Sequence, residues 1–176
     1  MTDFSTCDLC DRLKAGLLTA ADDAFRVLPP VFHNYGGRSA FSGPVLTVKC
    51  FEDNSVLKAL VESDGRIETP AGRVGQVLAV DGGGSLRRAL LGGKLAAAAA
   101  RNGWAGLVID GAVRDVAELA AADVGIRALA AIPLPTDRRS EGQRGLPVQI
   151  QGVWIRPGDW LYADADGIVV LPAPAR

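Results

Sequence analysis

The residues best suited to chemistry are an adjacent arginine and aspartate, Arg114 and Asp115, which closely follow an apolar run over 106–110 (GLVID). The run predicts a buried strand, and ligands of parallel α/β sheets bind beyond the carboxyl ends of such strands. The planar guanidinium group of arginine matches a carboxylate, and aspartate supplies a hard oxygen of the kind that Mg²⁺ prefers. Together the two side chains could hold an anionic keto acid and the metal ion that polarises its carbonyl group.

The same residues have a purely structural interpretation. Asp115 and Glu118 stand three residues apart at the start of a predicted helix over 115–122, which is the spacing of a variant capping box. Arg114 would then be a solvated surface residue. The residues alone favour this structural interpretation over the catalytic one.

A glycine pair, Gly92 and Gly93, interrupts a segment that otherwise favours helix. Glycine destabilises a helix interior by about 1 kcal/mol relative to alanine, so the pair predicts a break between a short helix over 86–91 and a longer helix that starts near Lys94. A helix that starts there would present free backbone N–H groups and a partial positive charge to a carboxylate. Close helix packing or a kink would explain the pair equally well.

A second glycine-rich segment over 81–85 (DGGGS) follows a predicted strand over 74–80, which is where dinucleotide sites are found. The G-x-G-x-x-G pattern fails because Arg87 occupies its last position, and the P-loop pattern fails because Leu95 follows Lys94. The glycines are therefore predicted to form a tight turn between this strand and the helix that begins at Leu86.

The rest of the pattern predicts one α/β domain over residues 1–176. Strands and helices alternate from 74 to 132, with the third strand over 126–132, and this order indicates parallel βαβ units. The flanking elements are a helix over 6–15 capped by Ser5, a strand over 44–51, a helix over 54–62 capped by Asn54, and strands over 148–155 and 167–171.

Composition and charge exclude several classes of function. The 19 basic and 20 acidic residues are spread through the chain and give a net charge of −1, so direct binding of nucleic acid is not expected. The sequence shows no secretion signal and no membrane span, so we expect a cytoplasmic protein whose Cys7, Cys10 and Cys50 are reduced. A zinc site at the first two cysteines and a hydrolase centred on His33 are both disfavoured, because neither has partners in a recognised pattern.

Motifs along nearly the whole chain resemble the RraA-like family, which includes regulators of ribonuclease activity A and the related 4-hydroxy-4-methyl-2-oxoglutarate aldolases. These motifs are YGGR at 35–38, FSG at 41–43, TVKCFEDN at 47–54, VDGGGS at 80–85, GW at 103–104, GAVRD at 111–115 and YADADGI at 162–168. The aldolase signature of the family, G-x20-R-D-x2-E/D, is matched by Gly93, Arg114, Asp115 and Glu118.

The resemblance implies a single-domain β/β/α sandwich, similar to the swivelling phosphohistidine-domain-like fold, that assembles as a homotrimer. It also implies that Arg114 binds the substrate and that Asp115 anchors a divalent metal ion, Mg²⁺ or Mn²⁺. The residues implied to line the substrate carboxylate with backbone N–H groups are Gly92, Gly93, Lys94 and Leu95.

The activity implied by the resemblance is retro-aldol cleavage of 4-hydroxy-4-methyl-2-oxoglutarate-type 2-oxo acids to pyruvate, with oxaloacetate decarboxylation as a side activity. The alternative is a non-catalytic protein that inhibits an RNA-processing endonuclease such as RNase E by docking on it. Members that act only as regulators are expected to lack the aspartate that this chain has at 115. A menaquinone methyltransferase is disfavoured, because the DGGG segment at 81–84 lacks the pattern that surrounds a cofactor loop.

Overall fold

The computed structural model describes residues 4–16, 24–70 and 72–175, and within them it shows four helices and 13 strands. The helices are α1 (Thr6–Lys14), α2 (Ser55–Val61), α3 (Gly93–Arg101) and α4 (Val116–Ala121). The strands are β1 (Arg26–Val27), β2 (His33–Asn34), β3 (Phe41–Lys49), β4 (Arg66–Thr69), β5 (Gly72–Gly75), β6 (Val77–Leu91), β7 (Gly106–Val113), β8 (Gly125–Ala131), β9 (Gln143–Arg144), β10 (Val148–Ile150), β11 (Val153–Ile155), β12 (Trp160–Ala163) and β13 (Ile168–Leu171).

Nine of these strands form one sheet in the order β1-β13-β12-β3-β6-β7-β8-β2, with β9 also paired to β3. Its centre is parallel, because β6 pairs in parallel with both β3 and β7, and β7 pairs in parallel with β8. The other pairs of the sheet are antiparallel. The helix α3 connects β6 to β7 and α4 connects β7 to β8, so the predicted βαβ units are confirmed.

The central strands are buried on both faces, as their continuous apolar runs predict. On one face, Leu78 and Leu107 belong to a core that includes Leu57 of α2, Ala96 of α3 and Leu119 of α4. On the other face, alternate residues of the same strands pack with the β10–β11 hairpin in a second core. Helices, central sheet and outer β layer together form the β/β/α sandwich that the resemblance implies.

The predicted helix over 86–91 is wrong, because β6 continues through this segment to Leu91. Gly83 and Gly84 take left-handed φ values of +66° and +65°, and the register between β6 and β7 shifts after Asp81. The glycines therefore form an irregularity inside a long strand instead of a turn into a helix. Pairing with β7 and burial of Leu90 prevail over a local sequence that favours helix.

The predicted caps of the first two helices have different outcomes. The Ser5 hydroxyl accepts a hydrogen bond from the Asp8 N–H at 3.3 Å, which confirms the cap of α1. The predicted cap by Asn54 is wrong, because its side chain instead donates to the Leu90 carbonyl at 2.9 Å. The buried carboxylate of Asp53 accepts from the Ser55 N–H at 2.7 Å in its place.

The predicted strand over 148–155 is two strands, β10 and β11, which form an antiparallel hairpin. Gln151 and Gly152 make the turn with φ values of +48° and +82°. In the parts of the chain that the structure describes, no helix is long and apolar enough to cross a membrane.

Candidate active site

An open cleft of about 1190 Å³ lies where β6 and β7 end and where α3 and α4 begin. The structure brings together in its lining every site residue that the sequence predicts. These residues are Gly92, Gly93, Lys94, Leu95, Arg114 and Asp115. The site therefore forms at the carboxyl ends of parallel strands, as expected for this class of sheet.

Asp115 precedes α4 in a left-handed conformation, with φ +58° and ψ +48°, and its side chain makes no hydrogen bond to that helix. One carboxylate oxygen, Oδ2, accepts instead from the Gly93 N–H at 3.1 Å and lies 3.4 Å from the Arg114 Nε. The capping-box interpretation of Asp115 and Glu118 is therefore wrong. This left-handed backbone directs the Asp115 side chain towards the start of α3. The negative charge of Asp115 therefore lies inside the cleft.

Glycine is needed at positions 92 and 93 because carboxylate side chains approach the backbone closely there, and not because the backbone conformation is unusual. Gly92 is extended, with φ −136° and ψ 178°, but a Cβ atom there would lie 2.6 Å from the Asp115 Oδ2. A Cβ atom on Gly93 would lie 1.8 Å from the Oε2 of Glu118. The two glycines thus let two carboxylates approach the beginning of α3.

The first turn of α3 leaves a backbone donor for a ligand. The N–H groups of Leu95 and Ala96 donate to the Gly92 carbonyl at 3.0 and 3.1 Å, and the Gly93 N–H donates to Asp115. The Lys94 N–H has no acceptor among the described residues. A carboxylate placed there would also benefit from the positive end of the helix dipole.

Replacement of Gly92 with alanine is expected to lower kcat/KM for a substrate of this cleft about a hundredfold, the typical effect of a misplacement of about 1 Å, while the fold remains stable. The added methyl group would displace the Asp115 carboxylate and crowd the Arg114 guanidinium, whose Nε would lie 3.1 Å away. The backbone itself tolerates alanine, because extended φ and ψ values carry no penalty. Steady-state kinetics and thermal unfolding of the variant test this expectation. If the variant is as active as the wild type, neither Asp115 nor Arg114 needs its present position.

A well-anchored loop also lines the cleft. Residues 135–138 belong to this loop, and the buried Asp53 accepts a hydrogen bond from the backbone of Arg139 just beyond them. Burial by itself raises the pKa of Asp53, but hydrogen bonds from Ser55 and Arg139 outweigh that effect and hold the pKa below its ordinary value. The Asn54 side chain, fixed by Leu90, accepts from the Arg138 Nε at 3.4 Å.

A second acidic pair lies outside the cleft and is absent from the sequence-based predictions. Asp81 and Asp110 are register partners on β6 and β7, and Asp110 accepts from the Gln151 side chain at 2.6 Å. Burial raises the pKa of Asp110, and the charge of Asp81 raises it further. Since Gln151 belongs to the β10–β11 hairpin, this pair faces the outer β layer and not the helices.

The donors in the cleft fit Mg²⁺ or Mn²⁺ better than zinc. The described residues contain no cluster of three or more His, Cys, Asp or Glu side chains that could hold a metal ion. Mg²⁺ usually binds one or two carboxylates and completes its coordination with waters and substrate oxygens. Asp115 suits this role, because its side chain is 35% exposed and its Oδ1 makes no hydrogen bond within the described parts of the chain.

A comparison with protein families identifies the chain. The model of the RraA-like family, described as Aldolase/RraA, matches residues 6–170. The chain belongs to the RraA-like family. A relative in this family from Albidiferax ferrireducens, provisionally named 4-hydroxy-4-methyl-2-oxoglutarate aldolase, is 71% identical over 167 residues, which cover 95% of this chain and 94% of the relative. A relative from Azotobacter vinelandii with the same provisional name is 49% identical, with 98% and 97% covered.

Solved structures of RraA-like relatives confirm the fold. The RNA-processing inhibitor RraA from Thermus thermophilus superposes with a TM-score of 0.86 at 42% identity, covering 99% of this chain and 96% of that one. A Geobacillus kaustophilus structure, described as an S-adenosylmethionine:2-dimethylmenaquinone methyltransferase, has a TM-score of 0.84 at 38% identity, with 97% and 96% covered. Two solved structures of this fold thus carry two different functional descriptions.

Proposed function

We propose that this RraA-like protein is a divalent-metal-dependent aldolase that cleaves 4-hydroxy-4-methyl-2-oxoglutarate-type 2-oxo acids to pyruvate. The observation that supports this most strongly is the convergence of Arg114, Asp115 and the free Lys94 N–H of α3 in one cleft. A guanidinium group, a carboxylate and a helix N-terminus are the groups needed to hold a keto acid together with a metal ion. The provisional names of the relatives agree with this assignment.

Each group has a separate task in the proposed reaction. Arg114 pairs with the substrate carboxylate, and the Lys94 N–H donates to one of its oxygens. Asp115 holds the divalent cation, which when bound polarises the 2-keto group and stabilises negative charge on its oxygen. Because Gly93 and Arg114 both contact Asp115, the cation site and the carboxylate site are held in a fixed relation.

Cleavage breaks the bond between C3 and C4 of the substrate. A base removes the proton of the C4 hydroxyl, C4 becomes a carbonyl carbon, and the electron pair of the broken bond forms the enolate of pyruvate. Arg114 stabilises this anion, and a proton from water then converts C3 into the methyl group of pyruvate. Oxaloacetate, which loses CO₂ in place of an aldehyde or ketone, gives the same enolate and should be a second substrate.

Oxaloacetate therefore offers a simple test of the proposed chemistry. We expect the purified protein with Mg²⁺ to decarboxylate oxaloacetate faster than Mg²⁺ alone. Oxalate should inhibit competitively, because it resembles the pyruvate enolate. An enzyme accelerates its reaction by binding the transition state, and the intermediates that resemble it, more tightly than the substrate. A rate equal to that of the free metal, with no binding of oxalate, would refute the aldolase assignment.

The alternative function is that of an endonuclease inhibitor, and two structural relatives favour it. One is described as an RNA-processing inhibitor and another, from Streptomyces coelicolor, as an unusual member of the RNase ES inhibitor RraA family. Such a function needs a docking surface and neither Mg²⁺ nor Asp115. Inhibition of an RNase E-type enzyme that persists in EDTA would support it.

The proposed assembly, on the basis of the family resemblance, is a homotrimer. Apolar side chains available for contact with another chain include Phe51, Leu86 and Trp154, which are 53%, 48% and 50% exposed. Light scattering measures the assembly directly.

A further inference from the structure

The cleft is lined by four carboxylates, and three of them have cationic partners. Glu62 lies 2.6 Å from the Lys58 Nζ, Asp137 lies 3.7 Å from the Arg88 Nη1, and Asp115 lies 3.4 Å from the Arg114 Nε. Glu118 is the exception. Within residues 4–16, 24–70 and 72–175, its side chain has no ion pair or hydrogen bond.

Glu118 lies directly beside the proposed binding site for the substrate. A Cβ atom on Gly93 would meet the Glu118 Oε2 at 1.8 Å and its Cδ at 2.6 Å, so this carboxyl group lies against the first residue of α3. Asp115 occupies the corresponding place beside Gly92. The two carboxylates therefore approach adjacent residues at the beginning of α3.

The other groups of the cleft are poorly suited to accept a proton. Asp115 is engaged by Arg114 and by the Gly93 N–H, and lysine and arginine side chains offer only donors in their charged forms. The single histidine, His33, is exposed on β2 and is not part of the cleft lining. Glu118 combines a free carboxylate, exposure to the cleft and contact with the start of α3.

We propose that Glu118 is the general base of the retro-aldol reaction, an inference that rests on the proposed aldolase function. Its carboxylate accepts the proton of the C4 hydroxyl as the C3–C4 bond breaks, C4 becomes a carbonyl and the electron pair passes into the pyruvate enolate. The proton on Glu118 then moves through water to C3, which becomes a methyl group, and the carboxylate is restored. A side chain at position 93 would displace this base, because a Cβ atom there would lie 1.8 Å from the Glu118 Oε2.

The experiment compares two reactions that both form the pyruvate enolate, of which only one needs the base. Retro-aldol cleavage requires deprotonation of a hydroxyl group, whereas oxaloacetate decarboxylation breaks its bond by loss of CO₂ without one. Glu118→Gln should therefore lower the ratio of aldol cleavage to decarboxylation about a hundredfold or more, the usual contribution of a general base. Glu62→Gln, which removes a paired carboxylate from the same cleft, is the matched control and should keep the wild-type ratio.

The outcomes separate this inference from the function on which it rests. If the rates of both reactions fall together in Glu118→Gln, so that their ratio stays at the wild-type value, or if neither rate changes, Glu118 is not the base. If the wild-type protein does not decarboxylate oxaloacetate above the metal-only rate, the aldolase function itself fails. Thermal unfolding of both variants is measured alongside the rates. If Glu118→Gln does not fold, Glu118→Asp is tested in its place, and its shorter carboxylate should retain part of the wild-type cleavage activity.

Discussion

Replacement of Asp115 with asparagine is expected to abolish Mg²⁺-stimulated release of pyruvate while the protein remains folded. Asparagine adopts the left-handed conformation found at φ +58°, and its amide oxygen can still accept from the Gly93 N–H. The substitution removes the negative charge that would hold the cation. A loss of several kcal/mol of charge stabilisation corresponds to a fall in kcat/KM of about a thousandfold.

The measurement is the rate of pyruvate release as a function of Mg²⁺ concentration, with thermal unfolding as the control for stability. Alanine is a less suitable replacement, because it would add backbone strain at this left-handed position to the loss of the carboxylate. Undiminished turnover of Asp115→Asn at all Mg²⁺ concentrations would exclude Asp115 as the metal ligand.

Arg114→Lys is expected to lower kcat/KM about 10- to 100-fold for every 2-oxo acid, including oxaloacetate, which is the effect of losing one hydrogen bond between charged groups. Lysine keeps the positive charge but loses the planar pair of N–H donors that binds a carboxylate at two points. The backbone of residue 114 should stay in place, because its N–H donates to the Leu91 carbonyl at 2.9 Å.

Steady-state kinetics with two substrates of different size test the role of Arg114. A common fall in kcat/KM for both would show that the guanidinium acts on the pyruvate portion that they share. Unchanged kinetics would mean that Arg114 is a surface residue without a part in binding.

The sequence predicts the central strands and the location of the site, because both depend on local patterns. The apolar run over 106–110 predicts a strand that the structure extends to Val113, and Arg114 and Asp115 follow it as expected. The Gly92 and Gly93 pair predicts that a helix starts near Lys94, and α3 begins at Gly93. Both patterns are contained within a few residues.

The wrong predictions concern residues whose decisive partners are distant in the sequence. Residues 86–91 favour helix locally, but β7 pairs with them and keeps them in a strand. Asn54 resembles a helix cap, yet its side chain bonds to Leu90, 36 residues away. The spacing of Asp115 and Glu118 resembles a capping box, yet Asp115 bonds to Gly93, 22 residues earlier.

Glu118 illustrates what the structure adds to a sequence motif. The signature G-x20-R-D-x2-E/D contains this residue, but the spacing alone gives it no role. Its contact with Gly93 becomes visible only when α3 and α4 are packed side by side. The first and last residues of the signature, Gly93 and Glu118, therefore touch in the folded protein.

The most direct test of the aldolase function is release of pyruvate from 4-hydroxy-4-methyl-2-oxoglutarate by the purified wild-type protein, with Mg²⁺ and with EDTA. We predict multiple turnovers with Mg²⁺, two molecules of pyruvate for each substrate cleaved, and loss of the activity in EDTA that added Mg²⁺ or Mn²⁺ restores. Absence of pyruvate under all of these conditions, or an equal rate in EDTA, would contradict a metal-dependent aldolase.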